Sequence, residues 1–291
     1  MAPPLKRIRD VIRSFIERDK TEDAELLKLA KDLEKEAPLP SLAISSLNLG
    51  DVQVILNLKF IRTDPELSLV PSIPLTPALN DQIELIDEVL NNSVSNEASI
   101  RWKLNALMMH AHRMATADKT ASNQPISIQT ESLFSMGPVV HDEQQWTLTG
   151  RPDYTVWYGN KDHVSLNVVV VEAKCQQRGL TGLPQALAYM GVVHHQRKKL
   201  GKRDSTVYGV TCDDVEFRFL KLNDNSEWSE KHVTAREQQY EQAFGLLVFL
   251  MKKALSLSPI HSKESSAQTY DTQGSSHALG SHAEDLMDEQ E

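Results

Sequence analysis

The sequence predicts an α/β fold, a mixed central sheet flanked by helices. Three observations lead there. The run "NVVVV" at residues 167–171 is apolar without alternation, the pattern of a strand covered on both faces. Strand-like runs follow one helical stretch and precede another, in the order helix, three strands, helix, strand. And "LTGRPDYTVWYG", residues 148–159, opens a strand on Asp153, a carboxylate that is costly to bury unless something positive meets it.

Taken in order, residues 5–36 predict two amphipathic helices, the second beginning at "TEDAELL" with Thr21 as its cap. "PLPSL" interrupts them, and "DVQVILNLKFI" fits strand or helix equally. "LTPALNDQIELIDEVLNNS" reads as a helix. "SVSNEASIRWKLNALMMHAHRMA" is a stronger one, capped by Ser95, with Ile100, Leu104, Leu107, Met108 and Ala111 on its apolar face. "PISIQTESLFSM", "WTLTGRPDYTVWYG" and "SLNVVVVEAKC" are the three strands. "GLTGLPQALAYMGVVHHQRKKLG" is a helix with Pro184 in its first turn and Gly201 at its end. "TVYGVTCDDVEFRFLKLN" gives two more strands about an Asp213–Asp214 turn, and "REQQYEQAFGLLVFLMKKAL" a closing helix. Residues 1–89 form an N-terminal helical extension, residues 90–257 the main domain, and residues 258–291 a disordered acidic tail with little to bury.

No apolar run approaches the roughly 20 residues that cross a bilayer, and "MAPPLKRIRD" lacks the apolar core of a secretory signal. Two cysteines, Cys175 and Cys212, make no disulfide framework. These features predict a reduced intracellular protein, nuclear or cytoplasmic. The net charge of −9 argues at first against nucleic acid. From His261 to Glu291, however, seven acids face one base, Lys263, so the tail holds −6 of that total. From Arg151 to Leu220 ten Lys/Arg outnumber seven Asp/Glu, a balance of +3. Overall charge is therefore a poor guide to the partner.

"NVVVV" ends in Glu172-Ala173-Lys174, and residues two apart on a strand share a face. Glu172 and Lys174 project together, and Asp153 on a neighbouring antiparallel strand can reach the same place. Two carboxylates relieve their repulsion by sharing a hard cation, and Mg²⁺ favours one or two carboxylates with water and phosphate oxygens. A metal-bound water beside a lysine is the chemistry of phosphodiester hydrolysis.

"GRPDYTV", "VVVVEAK" and "PQALAYM" resemble the successive motifs of the PD-(D/E)xK nuclease superfamily, with its restriction-endonuclease-like fold. Gln185 and Tyr189 match the QxxxY signature of its RecB-like, lambda-exonuclease-like branch. The whole chain looks most like the uncharacterised PD-(D/E)xK-like proteins of fungal genomes. The resemblance implies an αβββαβ core. It also implies that Asp153 and Glu172 bind Mg²⁺ (Mn²⁺ is an alternative), that Lys174 is catalytic, and that Gln185 and Tyr189 contact substrate. Glu97 matches in position the acid that the family's first helix often adds. It also reads as a first-turn acid favoured by the helix dipole.

Arg151 reads either as a phosphate contact or as a solvated strand-end residue. Arg197, Lys198, Lys199, Lys202 and Arg203 complement a helix C-terminus, or contact a nucleic-acid backbone, or form a nuclear-localisation patch. His194 and His195 point about 100° apart on a helix and do not make a metal pair. The expectation is a Mg²⁺-dependent nuclease acting on nucleic acid, DNA above RNA, with no membrane partner. The alternative is a scaffold of the same fold that binds nucleic acid or protein without catalysis.

Overall fold

Three asparagine and threonine caps set where helices begin. In the computed structural model Asn48 and Asp51 cap one another's backbone N–H groups at 3.0 and 3.1 Å, starting α1 (Leu49–Ile55). Thr76 accepts from the Leu79 N–H and starts α3 (Pro77–Leu90), with Pro77 in its first turn. Asn96, and not Ser95 as the sequence predicts, caps α4 (Glu97–Thr116): Asn96 and Ser99 exchange side-chain-to-backbone hydrogen bonds at 3.0 and 2.8 Å. A one-turn helix, α2 (Pro65–Ser68), lies between α1 and α3.

The structure describes Ser14 and residues 39–62, 64–91, 96–117, 126–158, 167–173, 182–213, 215–235 and 239–256. The two helices predicted over residues 5–36, the tail predicted beyond residue 258, and Lys174 and Cys175 lie outside them. The chain divides into Met1–Ser258 and Pro259–Glu291, and every element described belongs to the first.

The strands are β1 (Ser41–Ala43), β2 (Lys59–Phe60), β3 (Ile126–Thr130), β4 (Phe134–His141), β5 (Gln144–Gly150), β6 (Tyr154–Tyr158), β7 (Asn167–Ala173), β8 (Val207–Cys212), β9 (Glu216–Leu222) and β10 (Glu227–Thr234). Seven of them form one mixed sheet in the order β2-β10-β9-β8-β7-β6-β3, and β1-β5-β4 form a second. Strand β7 runs antiparallel to β6 and parallel to β8. The crossover between β7 and β8 is α5 (Gly182–Lys199), and α6 (Glu241–Ser256) closes the order.

A mixed α/β architecture is thus present. Its detail departs from the sequence expectation in three ways. Among the described residues five strands, not three, separate α4 from α5. "PISIQTESLFSM" breaks at Glu131, whose φ of +52° lies in the left-handed region, and "WTLTGRPDYTVWYG" breaks at Arg151–Asp153, where Pro152 has no N–H to give a ladder. Strand β10 was not predicted at all. The segment expected as a helical extension contributes strands as well as helices: β1 pairs with β5 and β2 with β10, both parallel.

The large sheet carries a core on each face. On one, α3, α4 and α6 pack through Ile83, Leu104, Leu107, Phe244 and Leu247 against Val156, Val171, Val210 and Phe219. On the other, α5 lies between the two sheets, its Leu187, Met190 and Val193 packed with Ile44, Phe134, Leu148 and Leu220. That explains a helix apolar all round, without a single stripe. Among the described residues no helix is long and apolar enough to cross a membrane.

Candidate active site

Strand register sets the two predicted carboxylates at neighbouring backbone positions. Tyr154 of β6 pairs with Val171 of β7 in an antiparallel ladder, so Asp153 and Glu172 are the next residues outward on the two chains. The Ala173 N–H donates to Asp153 Oδ2 at 2.7 Å, which fixes one carboxylate oxygen at the end of β7. Val171 and Ala173 belong to the core under α4 and α6, so alternation turns Glu172 to the opposite face, the one α5 covers. Glu172 also stands beside Thr211 of β8. Asp153 is 7% exposed and Glu172 1%, so both carboxylates are withdrawn from water.

Burial of two acids at one strand end demands positive charge nearby. Arg101, in the second turn of α4, provides it: Nη2 donates to Asp153 Oδ1. Nη1 also lies 4.0 Å from Glu131 Oε1, the exposed acid between β3 and β4. This arginine answers Asp153, and the sequence reading missed it. Helical spacing puts Arg101 on the face of Glu97, four residues away, but gives no sign of its partner 52 positions on. Glu97 itself is half-buried in the first turn of α4. Among the described residues no three His, Cys, Asp or Glu side chains gather closely enough to hold an ion, so Glu97 does not join Asp153 and Glu172 in a three-acid cluster.

The glycine of "GRPD" meets the tyrosine of "QALAY". A Cβ on Gly150 would lie 2.6 Å from Tyr189 Oη and 2.8 Å from its Cε1, so only glycine lets the end of β5 approach this ring. Tyr189 is buried, edge-on to Phe134 with centroids 5.6 Å apart, and Gln185 Nε2 donates to its hydroxyl at 3.4 Å. The two motif residues of α5 therefore touch one another and the strand three residues before Asp153. Arg151 is exposed and donates to the Glu131 carbonyl at 3.1 Å. Burial pushes the Tyr154 phenol up to about 12, with Arg101 opposing that rise and Asp153 adding to it, so this neighbour keeps its proton at neutral pH.

The basic end of α5 divides. Arg197 is 2% exposed and donates to the Thr206 carbonyl at 2.7 Å, a structural cation and not a phosphate contact. Lys199, Lys202 and Arg203 are exposed. His194 is buried between the Ser205 carbonyl (2.8 Å) and Ser226 Oγ (3.0 Å), while His195 faces solvent.

Asp153 and Glu172 offer two hard oxygen donors, the set that suits Mg²⁺ with waters and phosphate oxygens in the remaining positions. They fit it on one condition, because Oδ1 of Asp153 is engaged by Arg101. No protein-family model matches the chain, and no curated protein matches it.

Proposed function

We propose that this chain is a metal-dependent nuclease of PD-(D/E)xK type, built on a restriction-endonuclease-like core and hydrolysing phosphodiester bonds of nucleic acid, with DNA the favoured substrate. The observation that carries the reading is that two buried carboxylates, Asp153 just before β6 and Glu172 one residue before the end of β7, flank the paired Tyr154 and Val171. A protein that needed only a stable sheet would gain more from apolar residues there. The βαβ unit β7-α5-β8 supports the core, and the contact of Gly150 with Tyr189 supports reading the motifs as one unit.

In this reading Asp153 and Glu172 would hold Mg²⁺, which when bound would supply Lewis-acid polarisation of a phosphoryl oxygen and a more acidic water. Asp153 is oriented for that task by the Ala173 N–H. Lys174, two residues beyond Glu172 in sequence, orients the attacking water and stabilises charge in the transition state. Gln185 positions the substrate strand from the first turn of α5, with Tyr189 as its hydrogen-bonded support. Exposed Arg151, Lys199, Lys202 and Arg203 are phosphate contacts of the surrounding surface. Glu97 is left as a first-turn acid of α4.

The test is cleavage of single- and double-stranded DNA and RNA with Mg²⁺, Mn²⁺ or EDTA, beside Lys174→Ala. Metal-dependent cleavage is expected, reduced about 100-fold or more by the substitution. A second reading, a scaffold of the same fold, is favoured by one observation: both oxygens of Asp153 already have partners within the protein. Identical behaviour of the two proteins on every substrate would establish it in place of the first.

A further inference from the structure

The Asp153 carboxylate has one oxygen tied to the backbone and one turned to a guanidinium. Oδ2 accepts from the Ala173 N–H at 2.7 Å, and Oδ1 accepts from Arg101 Nη2. A cation taking Oδ1 would meet Arg101 at the same oxygen, and two cations so close repel strongly where water is scarce. Either Arg101 keeps Asp153, or the ion does.

Arg101 is built to let go. Its side chain is 33% exposed, against 7% for Asp153, so it can leave without carrying a charge through the core. A second acid already waits for it: Glu131, 65% exposed, sits 4.0 Å from Nη1. Its present seat is also incomplete, because Nε is buried without a hydrogen-bond partner. A guanidinium with an unsatisfied donor in one position and an alternative carboxylate in the next loses little by moving.

We propose that Arg101 is an exchangeable counter-cation: it neutralises Asp153 when no metal is bound, and it releases Oδ1 and turns to Glu131 when a divalent cation arrives. This rests on the metal-dependent reading above and adds a residue to it. Arg101 is a positioning residue, acting through Asp153, and it sets how much metal the protein needs. The protein without metal keeps the buried Asp153 compensated, at the cost of a weaker apparent affinity for the ion.

The experiment is calorimetric titration of Mn²⁺ into the full chain, Arg101→Gln and Asp153→Asn at one pH and ionic strength. Removing the competitor is expected to tighten Mn²⁺ binding at least fivefold in Arg101→Gln, while Asp153→Asn loses it. Equal or weaker binding by Arg101→Gln, with Asp153→Asn still unable to bind, overturns the exchange and leaves the metal reading standing. No binding by either the natural protein or Arg101→Gln, or binding indifferent to Asp153→Asn, overturns both. Should Arg101→Gln not fold, the natural protein gives its own readout. The Arg101 Nε–H resonance, assigned by its loss in Arg101→Lys, is expected to shift as Mg²⁺ is added. A resonance that stays in place while Mg²⁺ raises the melting temperature overturns the proposal.

Discussion

His194 donates its Nδ1–H to the Ser205 carbonyl, which can only accept, and so receives the Ser226 hydroxyl proton at Nε2. Burial holds its pKa below the usual 6.5, with Lys198 and Arg197 adding repulsion; the Ser205 bond and Asp224 oppose that shift. The folded state resists the proton that the unfolded chain accepts. Stability from this site is therefore complete above pH 6.5 and is lost as the pH falls below it, levelling off under the folded-state pKa. Urea unfolding between about pH 7.5 and 5.5 should show this decline, and His194→Gln should flatten it. An equal decline in the variant would assign the pH dependence to other groups. Residue by residue, the sequence made Asp153 and Glu172 legible because strand alternation is local. It did not reveal Arg101, whose bond to Asp153 spans 52 positions and depends on how α4 lies over the sheet. Nor did it separate Arg197 from its neighbours, since burial of one cation in a basic run has no local mark.

At the scale of the element, Asn96 decides how firmly α4 begins, and Arg101 sits within that helix's second turn. Asn96→Ala should cost about 1 kcal/mol, within the usual range of roughly 0.5–2 for a lost cap, while Ser95→Ala should stay within about 0.5. Chemical unfolding of the two variants measures the difference; a larger loss at Ser95 would move the cap back to where the sequence pattern put it. Helices α3, α4 and α6 were readable because apolar periodicity is a local signal, and α5 because Pro184 and Gly201 mark its ends; the closing helix runs from Glu241 to Ser256. The strand breaks were not, because alternation continues across a left-handed residue or a proline without a change of period. β10 was invisible for another reason. "EWSEKHVT" is mostly polar, yet it pairs along its length with β9, and Arg218 bridges to Glu230 across the ladder at 3.0 Å. Its two buried apolar residues, Trp228 and Val233, are five positions apart on opposite faces, so backbone pairing and cross-strand charge carry the rest without an apolar pattern.

For the whole molecule, the consequence of β1 and β2 is that the N-terminal segment is part of both sheets. Ile44 and Val52 are buried in the core around α5, and Leu56 packs on Gly191 of that helix. Cutting residues 1–89 away removes these side chains together with two strands, so the remainder, residues 90–257, should lack a cooperative urea transition and should aggregate. A sharp transition in that fragment would show instead that it folds alone. The sequence suggested an appendage because the pairings are long-range: Ser41 joins Thr147, and Lys59 joins Glu227. Those same pairings fix an order in time. During translation β1 and β2 leave the ribosome first and must wait, apolar residues uncovered, until their partners have been made. The smaller sheet can close once β5 is made, but the larger one cannot until β10 has emerged, which makes the newborn chain a client for whatever shields apolar surface in the cell before then.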